Sequence, residues 1–247
     1  MHEENAAGRY ACAVTEMLDR AFSAQADRIE EAARIIADSL TQNGMLYTFG
    51  TGHAGLLAQE IFYRAGGPVR VHPIFDERLM LHVHASASSA WERESGLAEE
   101  LMRSLPMKKG DVLLLISNSG RNTTPVEMAM LAREKGVHTI CLTSVAHSSS
   151  VTPRNPAGKR LMEVCDLVLD NMGVPGDAVV ETGDGRRVSP TSTVIGAALL
   201  QAVSARAEEI ARQEGKTLEY FISSNVDGGD AYNEKLIERY QKQVPCL

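Results

Sequence analysis

Apolar and polar positions along this chain repeat with two different periods. From residue 9 to residue 42, Val14, Met17, Leu18, Ala21, Ile29, Ala33, Ile36 and Leu40 fall roughly on one helical stripe, which predicts a long amphipathic helix with Gly44 as its stop. Beyond it the period alternates. Met45–Phe49, Val69–Phe75, Asp111–Ile116, Val137–Leu142 and Asp166–Leu169 read as short buried strands, and helical patterns cover 54–65, 91–104, 125–135, 190–214 and 231–242. Residues 159–164 add a short helix. Residues 78–90, rich in Ala, Ser and His, show no clear period. Segment 145–158, with Ser148-Ser-Ser, Pro153 and Pro156, reads as loop, and glycine-rich 171–189 as a loop or hairpin.

Repeated strand–helix alternation with apolar, β-branched strands specifies an α/β protein whose parallel sheet is covered on both faces. Right-handed crossovers narrow this to a doubly wound, three-layer α/β/α sandwich. The length of 247 residues suits one domain: a helical segment over 1–44, a core over 45–214 and a C-terminal extension over 215–247. The net charge of -7 argues against broad binding to nucleic acid or to an anionic membrane. No apolar run approaches the roughly 20 residues of a membrane span, and Met1-His-Glu-Glu-Asn5 shows no leader. Cys12, Cys141, Cys165 and Cys246 form no Cys-x-x-Cys pair, so free thiols in the cytoplasm are expected, with a metal or redox role as the alternative.

Three loops carry candidate chemistry, because strand C-terminal ends share one edge of a parallel sheet and ligands bind there. Gly50-Thr51-Gly52-His53-Ala54-Gly55 follows a strand and opens a helix. It formally matches Gly-x-Gly-x-x-Gly, and Asp76 ends the next strand as a ribose-binding acid would, so a dinucleotide site competes here with a ligand-free glycine turn. The second loop, Ser117-Asn118-Ser119-Gly120-Arg121-Asn122-Thr123-Thr124, gathers four hydroxyls, an amide and a glycine at a helix start. Capping explains one hydroxyl; the set is better explained by an anion held on backbone N–H groups. The third loop is Ser189-Pro190-Thr191-Ser192-Thr193. Ser189 suits an N-cap and Pro190 the first helical position, so a well-capped long helix is one reading and Thr191 and Ser192 facing the same ligand the other.

His53 and Glu60 lie seven residues apart, two turns along one helical face. Glu60 is therefore a candidate base and His53 a candidate acid; the competing reading pairs Glu60 with Arg64 on a solvated face. His82, His84, Glu92 and Glu94 form a second cluster, in which the alternating histidines suit an extended strand. Hydrogen-bonded or exposed histidines are preferred there over a metal pair. Lys159 and Arg160 read as solvated charges within range of a phosphate.

With these loops identified, the chain resembles sugar isomerase (SIS) domain proteins. The matching features are Gly50-Thr-Gly-His, Ser117-Asn-Ser-Gly-Arg and Leu142-Thr-Ser144, and Ile61-Phe-Tyr-Arg-Ala-Gly-Gly67 and Asn225-Val-Asp-Gly-Gly-Asp230 resemble a phosphoheptose-isomerase-like single-domain subgroup. The resemblance implies a five-stranded parallel flavodoxin-like sheet and phosphosugar binding by a homodimer or homotetramer. It implies a phosphate held by Ser117, Ser119 and Asn122–Thr124, with Ser144 nearby and Glu60 on the helix that supplies a catalytic glutamate in several relatives. Ala54 and Asn122 stand where many relatives carry a hydroxyl. The late-helix histidine of phosphoheptose isomerases is missing from Val194–Glu209, which sets heptose isomerisation apart from binding. The expected activity is aldose–ketose isomerisation of a sugar phosphate, with no cofactor and no metal. A non-catalytic phosphosugar sensor and a phosphosugar lyase are the alternatives. A dinucleotide-dependent oxidoreductase is disfavoured, since no tyrosine has a lysine four residues on.

Overall fold

The computed structural model describes residues 5–247; the leader-free reading at residues 1–4 lies outside them. Five parallel strands form the sheet: β1 (Leu46–Gly50), β2 (Val71–Pro73), β3 (Val112–Ile116), β4 (His138–Thr143) and β5 (Leu167–Asp170), in the order β2-β1-β3-β4-β5. Their side chains alternate between two cores. Leu46, Val112, Leu114, Ile116, Ile140 and Leu142 pack on one face, while Tyr47, Phe49, Leu113, Leu115 and Cys141 pack on the other. Burial on both faces is why these strands read as nearly continuous apolar runs.

The first face is covered by α1 (Ala6–Ala24), α2 (Ala26–Thr41), α3 (Ala54–Glu60) and α8 (Ser192–Gln213), the second by α5 (Leu97–Arg103) and α6 (Thr123–Glu134). The other helices are α4 (Leu81–Trp91), α7 (Val145–Ser149) and α9 (Gly229–Tyr240). The glycine-rich stretch forms a hairpin of β6 (Ala178–Glu181) and antiparallel β7 (Arg187–Pro190). Among the described residues no helix is long and apolar enough to cross a membrane, and the four cysteines are free thiols.

Several expectations are corrected. The N-terminal stripe is two helices, broken at Gln25 (φ -106°, ψ 10°). The Gln25 side chain there accepts a hydrogen bond from the Asp170 N–H at 3.1 Å, so a contact with β5, invisible to periodicity, fixes the break. His82 and His84 sit in α4 rather than on a strand, and α4 is kinked at His84 (φ -161°, ψ 95°). Ser189 does not cap α8. It lies in β7 with φ 65°, and Asp177 takes the capping role: its Oδ1 accepts from the N–H groups of Thr191 (3.1 Å) and Ser192 (2.9 Å).

Gly50 makes the tightest turn. A Cβ there would lie 2.4 Å from the carbonyl oxygen of Ala54, which is backbone and cannot rotate away. Gly50→Ala is therefore expected to cost about 1–3 kcal/mol of folding stability, read as a lower urea midpoint. A midpoint equal to the wild type would contradict this packing of α3 on β1.

Candidate functional site

Strand order reverses between β1 and β3, and the helices that follow them leave for opposite faces of the sheet. α3 packs with the first core and α6 with the second. A crevice therefore opens at the C-terminal ends of β1 and β3, as it does at such switch points in general. A cavity of about 270 Å³ occupies it, near the lower end of small-molecule sites. It is lined by Thr51 and His53 from the first loop, Ser117, Asn118, Ser119 and Asn122 from the second, and Ser192 and Thr193 at the start of α8. Glu92, His147, Asn171 and Asp177 complete its polar wall, and no lysine or arginine lines it.

The second loop is built to present donors. Gly120 adopts φ 57°, a left-handed conformation suited to glycine. The turn is closed by a hydrogen bond from the Gly120 N–H to Ser117 Oγ at 3.2 Å. The backbone N–H groups of Asn118, Ser119, Arg121 and Asn122 have no hydrogen-bond partner among the described residues. Asn118 is braced by Asn171, whose amide donates to Asn118 Oδ1 at 2.9 Å. Within the loop Ser117–Thr124, expected to hold an anion, these four N–H groups are thus unengaged.

Five other hydroxyls expected at the ligand are engaged elsewhere. Thr124 Oγ1 donates to the Glu92 carbonyl at 3.0 Å, and the Thr124 N–H donates to the same oxygen at 3.0 Å. Thr123 Oγ1 donates to the Arg93 carbonyl at 2.9 Å. These two residues clamp the end of α4 onto the start of α6 instead of facing the cavity. Ser144 is fully buried. It donates to the Gly173 carbonyl at 2.6 Å and caps α7 by accepting from the His147 N–H at 3.0 Å. Thr191 is also buried, with Asp177 as its partner. Ser192 reaches the cavity wall but donates its hydroxyl to Asp177 Oδ2 at 2.5 Å. The positive end of α8 is thereby already answered by a carboxylate.

The clamp places Glu92 at the wall. Its Oε2 accepts from the Asn122 amide at 2.8 Å, and Asn122 Oδ1 is buried without a partner among the described residues. Burial pushes the Glu92 carboxyl above the ordinary carboxylate range. Hydrogen bonding from Thr51 and Asn122 and the nearby charge of Arg93 offset this only in part. A raised carboxyl between the two loops is suited to proton transfer. His147 Nδ1 accepts from the Gly176 N–H at 3.3 Å, which leaves the ring proton on Nε2.

Glu60 is not brought to this cavity. Helices that start at the ligand edge run away from it, and Glu60 lies about 10 Å along α3 from His53. Its carboxylate pairs with Arg64 and accepts from Gln201 at 3.2 Å, as the competing reading of the sequence had it. Asp76 is likewise remote from the cavity lining. Its carboxylate is held by Arg78 at 2.7 Å, and this hydrogen bonding keeps it below the usual carboxylate range, so no free acid stands where a ribose would need one. Glu92, by contrast, appeared in the sequence only as part of a possible metal cluster. Its signal was the surplus hydroxyl pair Thr123-Thr124, whose partners the sequence does not name. Asp177, His147 and Asn171 come from segments that read only as loop or strand end.

Comparison with known proteins agrees with this architecture. The SIS domain family model matches residues 9–144. A UPF0309 protein of Listeria monocytogenes serotype 4b is 40% identical over 232 residues, covering 94% of each chain. One from a Geobacillus species is 39% identical over 240 residues, covering 97% of each. Among solved structures, phosphoheptose isomerases from Francisella tularensis (TM-score 0.54, 16% identity, 81% of this chain and 95% of that one) and Neisseria gonorrhoeae (TM-score 0.51, 19% identity, 80% and 94%) share the fold. With the five-stranded parallel sheet and the crevice at its switch point already in view, the chain belongs to the SIS domain family.

Proposed function

We propose that the protein binds a sugar phosphate and interconverts its aldose and ketose forms. The ester occupies the cradle of unpartnered N–H groups at Asn118–Asn122, and Glu92 carries the proton between adjacent carbons. The observation that carries this reading is the position of Glu92. It is a half-buried carboxyl wedged between the loops after β1 and β3, in the same cavity as the cradle, with its acidity weakened by burial. The fold shared with phosphoheptose isomerases is consistent with it.

The chemistry is modest. The Glu92 carboxylate removes the proton from the carbon next to the carbonyl, while the carbonyl oxygen takes a proton from a donor in the wall, a role we give to His53, which lines the same cavity. The former carbonyl carbon of the resulting enediol then receives the proton of Glu92, and the hydroxyl on the carbon deprotonated first returns its proton to the donor in the wall, leaving the ketose. Fixing the ester supplies orientation, which is worth much of the barrier in such reactions. A cavity wall without lysine or arginine leaves recognition of the dianion to neutral donors, as helix-terminus sites do.

Glu92→Gln preserves shape and the contact with Asn122 but cannot accept the proton. Its kcat is expected to fall by about 100-fold or more, with sugar-phosphate affinity within about threefold of the wild type by calorimetry. Binding without turnover of any sugar phosphate by the wild-type protein would replace the isomerase with a sensor. In the wild type, Glu92 must be ionised to act as base, so kcat/KM is expected to drop as pH falls through a raised pKa. The acid limb then lies above the ordinary glutamate value of 4.5. A limb at or below that value would remove Glu92 from the base role.

A further inference from the structure

A second cleft, of about 500 Å³, opens at the opposite edge of the sheet, where the strands begin. It lies about 16 Å from the first cavity, the length of five-residue β1. Its walls include Tyr47, Arg70, Lys108, Asp111, Tyr240 and Lys242. Although the protein is acidic overall, Arg70, Lys108 and Lys242 form no ion pair among the described residues. Asp111 shares the cleft wall, but its oxygens are taken up by the backbone. It is 1% exposed, and its two oxygens accept from the N–H groups of Met45 and Lys108, each at 2.9 Å.

Lys242 follows the C-terminal end of α9, where a cation answers the helix dipole, so that residue alone has an ordinary explanation. Arg70 and Tyr47 do not. Arg70 donates only to neutral acceptors, Asn43 Oδ1 at 2.8 Å and Asn43 O at 2.6 Å, and its Nε is buried without a partner among the described residues. Its guanidinium lies 5.5 Å from the ring centroid of Tyr240. Tyr47 is 2% exposed, with its ring 5.3 Å from that of His72. Its hydroxyl, the polar tip of an otherwise enclosed ring, reaches solvent and finds no hydrogen-bond partner among the described residues. An unpartnered hydroxyl and three cations without ion pairs at one cleft are complementary to a multiply charged oxyanion.

We propose that this cleft is a second anion site, holding a compact phosphate-type dianion or trianion on Arg70, Lys108, Lys242 and the Tyr47 hydroxyl. It is independent of the sugar-phosphate reading of the first cavity and draws on none of its residues.

Isothermal titration of the full chain with inorganic pyrophosphate at low salt tests it, with circular dichroism confirming the fold of each variant. The wild type is expected to show saturable binding that weakens about tenfold in Tyr47→Phe, which removes only the hydroxyl. The exposed pair Lys108→Gln/Lys242→Gln is expected to weaken binding at least as much and keeps the test decisive if Tyr47→Phe does not fold. Competition by inorganic phosphate alone would assign the site to the free ion, and competition by glycerol phosphate as well would assign it to phosphate esters; both outcomes support the site. No saturable binding, or binding indifferent to the lysine pair, overturns it.

Discussion

The constraint on which the site depends is the reversal of strand order between β1 and β3. Because β1 and β3 are neighbours and α3 and α6 pack in opposite cores, the loops after the two strands must separate. That separation opens the crevice, aims the loop donors into it and leaves space between them for a third element. The third element is the end of α4, and it arrives through a hydrogen-bonded clamp: the Glu92 carbonyl accepts from both the N–H and the hydroxyl of Thr124. Fold, donor cradle and carboxyl position are in this sense consequences of one topological feature and one local bond pair.

The electrostatics of the cavity follow from what lines it. Neutral hydroxyls, amides and backbone N–H groups form one side, and Glu92 and Asp177 stand on the other, with no cationic side chain in the wall. Asp177 already binds the start of α8 through Thr191 and Ser192, so that helix end is closed to a second anion. The loop after β3 is left with unpartnered donors at the cavity. Glu92 forms no ion pair among the described residues, and burial raises its pKa.

Much of this was legible in the sequence, for identifiable reasons. Strands buried on both faces announce themselves as apolar runs, and Ser117-Asn-Ser-Gly between such a run and a helix marks a loop that exposes N–H groups. The direction of individual side chains was not legible. Thr123 and Thr124 look like ligand donors because their partners, the carbonyls of Glu92 and Arg93, lie about 30 residues away in sequence. Glu60 and His53 share a helical spacing, but spacing does not say that α3 carries Glu60 away from the edge and towards Gln201. Ser189-Pro190 has the composition of a helix start, yet the hairpin retains both residues and delivers Asp177 as the cap. In each case a tertiary contact overrode a sound local preference.

The most direct measurement is the crystal structure of the Glu92→Gln protein soaked with a sugar phosphate that it binds. The ester oxygens are expected to accept hydrogen bonds from N–H groups within Asn118–Asn122, with the carbons beside the carbonyl about 3 Å from the side-chain amide introduced by that substitution. An ester seated elsewhere, with the Asn118–Asn122 turn empty or the reacting carbons out of reach of the substituted side chain, would contradict the account.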